Sequence, residues 1–389
     1  MLVAVAVAVV GFLAVAALTQ LQGYRLGGTI VVPVLAVYTL KNLVTLPVFV
    51  LSTAVAYLGL AVLKRRTLYY GRTELLATLV VGSVVPLTIL LTLGSLAGEG
   101  FREVVFVGSI LPGLAAYNYH QLRDEYVTQD LTAAVLLYLV LVALGGALVS
   151  PRFVSTLGAL TPPVLYAETA DVAILRGAVV ETLPEPPVVG RAVAVGVFGL
   201  GMVLAERVRA RFGVRVGVIA LALLALYALA SVWLLALYAL TFLLGFAFLE
   251  LVHRTTLLYG RVLVGLTAAF ALLVALPLVT ALPILRGLSA FFVAILGGIA
   301  AYSLHVTPPA ERVASFPLQV AVFVPLVFLA RLVAEPYARG VPQELSLPVL
   351  VLGAVLTVGS LLLVRAVLVP LPDDESVLRA SILSGGGEA

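Results

Sequence analysis

His120 and His305 are the residues best placed by type and spacing to do chemistry. Each ends a matched stretch, Ala115-Ala116-Tyr117-Asn118-Tyr119-His120 and Ala300-Ala301-Tyr302-Ser303-Leu304-His305. A histidine there could serve as a general base or a metal ligand. A metal site needs two or three ligands on converging faces, and nothing in the spacing fixes such a geometry. Gln121, Asp124, Glu125 and Asp130 follow the first histidine and Glu311 the second. The expectation is an interfacial polar site with solvated neighbours, made of Tyr117, Asn118, His120, Tyr302 and His305. The chain has no cysteine, which removes thiolate chemistry. It has no G-x-x-x-x-G-K-[ST], H-E-x-x-H or G-x-S-x-G pattern. Carboxylates are scarce in the apolar segment centres, and Glu250 falls near a segment end, which argues against a proton-driven pump. No catalytic residue, metal or cofactor is assigned.

A second recurring cluster is basic. Arg65-Arg66-Thr67-Leu68-Tyr69-Tyr70-Gly71-Arg72 returns later in the chain as Arg254-Thr255-Thr256-Leu257-Leu258-Tyr259-Gly260-Arg261. A glycine can start or end a helix, a tyrosine suits a membrane interface, and arginines suit anionic headgroups. The alternative is docking of a cytoplasmic partner or attraction of an anionic polymer. The residues expected to do so are Arg65, Arg66, Tyr70, Gly71, Arg72, Arg254, Tyr259, Gly260 and Arg261. A third signal is backbone-breaking. Pro33, Pro112 and Gly113, with Gly297 and Gly298 in the later stretch, are expected to interrupt helices along a polymer or solute path.

These residues need a scaffold, and the composition says which kind. Of 389 residues, 62% are hydrophobic and 11% charged, far from the balance of a soluble domain. Apolar runs long enough to span lipid recur along the chain. The expectation is an all-α polytopic membrane protein. The N-terminal run lacks a positive leader region and has a later counterpart, so it is expected to be a retained helix.

The offset that carries Gly71 onto Gly260 also carries Gly28 onto Gly217 and Tyr38 onto Tyr227, and the histidine stretches repeat at nearly the same interval. Two tandem parallel repeats are therefore expected, each of about six segments. The first set falls at 2–20, 28–40, 43–63, 74–96, 104–118 and 131–150. The second falls at 190–206, 214–230, 232–252, 262–284, 288–303 and 317–334, and a thirteenth segment at 347–369. The domains expected are repeats 1–150 and 190–334, an extracytoplasmic linker 151–189, a further helix 335–370 and a cytoplasmic tail 371–389. The linker is rich in proline and acid, with a short surface helix around Ala167–Val180. Segments 28–40 and 104–118 are short enough to be re-entrant, although crossing is favoured. If all cross, fourteen Lys and Arg share one side and eight the other. The positive-inside rule then puts the N-terminus outside and the tail inside. A net charge of +4 without a long basic run gives no reason to expect nucleic acid.

At Val31-Val32-Pro33, Tyr70-Gly71-Arg72 and Ile110-Leu111-Pro112-Gly113-Leu114-Ala115 the sequence resembles the PgsC/CapC membrane subunit family of poly-γ-glutamate (capsule) synthesis. The resemblance runs from Gly28 to about Ser150, and more loosely over Gly217–Val333. Family members carry one unit and a glycine where Val34 stands; Ala222 and Gly297 replace the prolines in the second copy. The resemblance implies a non-catalytic subunit in the bilayer that anchors a cytoplasmic Mur-ligase-like ATP-dependent ligase. Its other implied partners are the polyglutamate chain and an extracytoplasmic capsule protein. The rival readings are a secondary transporter of a small solute and a membrane enzyme acting on a lipid-linked substrate with His120 or His305 as base.

Overall fold

The computed structural model describes residues 1–67, 71–97, 110–180, 185–214 and 217–368, without the side chains of 72, 93–97, 218 and 219. Tyr70, the first part of the expected segment 104–118, the Arg72 side chain and the tail 371–389 lie outside that description. The fold is all-α; the described residues form no strand, only isolated bridges at Ala167–Val180 and Ser231–Arg339.

The helices of the first half are α1 (Leu2–Gln22), α2 (Val31–Lys41), α3 (Thr45–Arg66), α4 (Arg72–Ala97), α5 (Ile110–His120) and α6 (Asp124–Leu148). In the linker a short α7 (Asp171–Arg176) occupies part of the expected surface helix. The second half has α8 (Arg191–Phe212), α9 (Val218–Ala230), α10 (Val232–Thr256), α11 (Arg261–Ala281), α12 (Gly287–Val306) and α13 (Pro309–Val333), and α14 (Leu347–Val367) follows. Nine helices among the described residues are long and apolar enough to cross a membrane. Many leucines and valines on their outer faces are exposed, Leu58 at 64% and Leu136 at 59% among them, as lipid-facing surfaces require. The chain is a multi-pass membrane protein.

Helix pairing is the same in both halves. α3, α4 and α5 pack on one another, as do α10, α11 and α12; α2 packs on α1 and α6, as α9 does on α8 and α13. Between the halves the contacts are reciprocal, α1 against α11 and α4 against α8. Small residues permit the closest of these approaches. A Cβ on Gly113 of α5 would overlap Thr78 O of α4, and one on Gly298 of α12 would lie 3.0 Å from Thr267 O of α11. Thr78 and Thr267 are related by the same offset as the two glycine turns. Each hydroxyl donates to the carbonyl one turn back, Glu74 O and Leu263 O.

One end of the bundle is covered by the linker. Lys41 donates to Thr169, Leu43 N donates 2.7 Å to Asp171 Oδ2, and Tyr166 OH donates 2.7 Å to Leu148 O. Glu185 accepts from Leu288 N, Ser289 N and Ser289 Oγ at the start of α12, where free backbone N–H groups favour a carboxylate. The opposite end carries the arginine-rich turns. Residues 25–43 pass from that end to the linker end, because Arg25 N contacts Asp130 near the start of α6 whereas Leu43 N contacts the linker. Within this passage every residue of α2 is buried.

Candidate functional site

The site is best built from the arginine end of the two helix triplets. In each triplet a glycine in the left-handed region precedes the fourth helix of its half, Gly71 at φ 64° and Gly260 at φ 65°. This conformation strains any residue with a Cβ, so the Tyr-Gly-Arg pattern marks a turn that needs its glycine. Arg65 and Arg66 at the end of α3 are exposed. Arg254 at the end of α10 is 79% exposed, and beside it Leu257 and Tyr259 project into solvent or headgroups. Arg261 departs from the expected docking group. It opens α11 half-buried, with Nη1 fully enclosed and without a hydrogen-bond partner among the described residues.

Under each turn lies a carboxylate. In the first half Glu74 of α4 is buried, paired with Lys64 Nζ at 2.6 Å and reached by Gln121 Nε2 at 3.2 Å. In the second half Glu250 of α10 holds His305 Nδ1 at 3.0 Å and Arg312 Nη1 at 3.1 Å, with Arg254 at 3.8 Å. Arg312 also donates to His305 O and Thr307 O, and its guanidinium lies 5.5 Å from the Phe246 ring. Phe246 is the counterpart of Tyr57 at the repeat offset. His120 stacks on the Tyr57 ring at 4.0 Å, while its Nε2 lies 2.8 Å from Tyr57 O. The matched histidines thus keep their place but change partner.

Of the neighbours expected in solvent, Gln121, Asp124 and Glu125 are exposed, and the expectation is corrected at Asp130 and around His305. The His305 side chain is only 9% exposed and engaged by Glu250. Asp130, expected in solvent, is 1% exposed and accepts from Arg25 N and Leu26 N. Asn118 is buried and donates to Leu114 O. His253, 5.0 Å from the His305 ring, and Glu74 are members that sequence reasoning left out, and Glu250 was read there only as an acid near a segment end. The signal for them was their spacing from the glycine turn, with Glu250 one helical turn before Arg254. Among the described residues no three potential ligands gather to hold a metal.

The expected helix breaks are corrected too. α12 runs unbroken through Gly297 and Gly298; the first approaches Thr241 and the second the α11 backbone, so both serve packing. Pro33 falls in the first turn of α2, where its missing N–H has no intrahelical acceptor to lose. Pro112 is the third described residue of α5, beside Gly113 at the contact with α4.

Part of the first half matches a known family in sequence. Residues 10–127 match the capsule biosynthesis CapC family. The CapC stretch takes in the first-half turn with Lys64 and Glu74, the packing glycine Gly113, and His120 with its partner Tyr57. It ties the chain to capsule biosynthesis. Neither a curated protein nor a solved structure matches the chain.

Proposed function

We propose that the chain is a non-catalytic membrane subunit of a poly-γ-glutamate synthesis and export complex. It holds a Mur-ligase-like, ATP-dependent amide ligase at the cytoplasmic face and assists passage of the polyanion. The observation that supports this most is the CapC match over the half whose turn presents Arg65 and Arg66. An exposed basic surface favours an acidic protein surface or an anionic chain. On this reading the arginine end is cytoplasmic, the linker and the N-terminus are outside, and the tail is inside.

The test is the triple variant R65Q/R66Q/R254Q in cells that make the polymer. Ligase recovered with the membranes and surface polymer should both fall several-fold while the chain still inserts. Full ligase recovery together with full polymer output overturns the docking role.

One observation favours a second reading, an enzyme acting on a lipid-linked substrate: Glu250 orients His305 as a carboxylate orients a catalytic base. On that reading H305A abolishes turnover by the purified chain, whereas the subunit reading expects no turnover from the chain alone.

A further inference from the structure

Arg261 occupies a different setting from the other arginines of its end. It begins α11, the helix by which the second half packs on α1 of the first. One turn on, a Cβ at Gly265 would lie 3.1 Å from Phe12 O and 3.3 Å from Thr29 Cγ2. The arginine therefore stands where the second half meets the loop after α1. Within electrostatic reach of its guanidinium are Arg25 and Asp130 of the first half, and Tyr117 and Tyr302, the matched tyrosines of the two Ala-Ala-Tyr stretches.

The charges in this group do not balance locally. Asp130 is the acid at hand, and its oxygens are taken by backbone donors: Arg25 N at 2.5 Å to Oδ1, and Leu26 N at 3.1 Å to Oδ1 and 2.9 Å to Oδ2. Those bonds hold the loop through Leu26 (φ 52°) and Gly27 (φ 64°). No ion pair joins Asp130 to either arginine among the described residues. Two guanidinium groups thus share the junction, and one nitrogen of Arg261 is enclosed with nothing among the described residues to donate to. A buried donor left unmade is costly, more so on a charged group. The guanidinium fork matches a planar two-oxygen acceptor, and the Tyr117 phenol can add a further donor.

We infer that Arg25, Arg261 and Tyr117 form a carboxylate-receiving site at the junction of the two halves. The site is asymmetric. At the α4–α8 junction the counterpart of Asp130, at the offset that carries His120 onto His305, is Ser315. The identity of the ligand as a glutamyl carboxylate rests on the function proposed above; the site itself does not.

The experiment uses the full chain in phosphatidylcholine nanodiscs, with a γ-linked glutamate pentamer and free glutarate as probes. Both probes should raise the thermal midpoint of the wild type. R261M and R25M should each weaken binding by about tenfold, one lost charge-assisted hydrogen bond, while R123Q, changed at an exposed arginine of the same end, binds as the wild type. R261M without probe should also melt higher than the wild type, because it removes an uncompensated enclosed charge. Binding unchanged in R261M, or a lower probe-free midpoint in R261M, overturns the site. An Arg261-dependent response to glutarate but not to the pentamer upholds the site and counts against the capsule-polymer reading. A response only to phosphatidylglycerol added to the discs overturns the carboxylate assignment.

Discussion

Glu250 Oε1 lies 3.0 Å from His305 Nδ1 and 3.1 Å from Arg312 Nη1, so one carboxylate oxygen ties α10 to the end of α12 and the start of α13. In the first half the corresponding histidine leans on Tyr57 instead. The carboxylate there has moved to α4, under Lys64. The same three-helix end is thus held by two different polar solutions.

E250Q should leave Arg312 and His305 without their shared acceptor. The expected loss is about 1–3 kcal/mol, read as a lower thermal midpoint in detergent. Y57F keeps the ring that stacks on His120 and the backbone carbonyl that meets it, so it should shift the midpoint little.

G113A should be more damaging than G298A. The Gly113 position faces Thr78 O and Leu79 Cα within overlap distance, whereas Gly298 has 3.0 Å to Thr267 O. Overpacking costs about 1–3 kcal/mol, and most of it should fall on G113A. Equal destabilisation of the two variants in thermal unfolding counts against the close approach of α4 and α5.

D130N removes half of the acceptor capacity that gathers Arg25 N and Leu26 N. Hydrogen exchange at the Leu26 amide should accelerate markedly, with the amides in the middle of α6 unchanged. Retained protection at Leu26 would mean that the loop is held by other contacts.

Tyr166 gives an alkaline signature in the linker. Burial pushes its phenol above the ordinary range, with a hydrogen bond from the Ser150 backbone pulling the other way, and its hydroxyl donates to Leu148 O. A phenol whose folded pKa is raised stabilises fully below its unfolded pKa, and that contribution is lost as pH rises through the folded value. The wild type should therefore lose more stability than Y166F between neutral pH and strongly alkaline pH. Parallel stability–pH curves would show that the phenol titrates alike in both states.

The helix class and the order of the segments were legible because apolar length and proline-glycine punctuation are local signals. The α2 start shows the limit of that reading: Pro33 looks like a break, yet in a first turn it costs no hydrogen bond. Gly297 and Gly298 mislead in the same way, since glycine for close packing and glycine for bending are spelled alike. The arginine motif was visible, but not that Arg261 turns into the bundle while Arg254 stays out, because a side chain's burial depends on a helix from the other half. Asp130 read as solvated for the same reason; its donors lie far back in the chain, at Arg25 and Leu26.

The crossed contacts of α1 with α11 and of α4 with α8 carry a lesson for anyone who divides this protein. A fragment ending near Ser150 keeps its own triplet but loses the surface that α1 was shaped to meet. The nearest substitute is the equivalent surface on an identical fragment. Truncation should then yield a pair rather than a free half, with the fused chain acting as its own permanent mate.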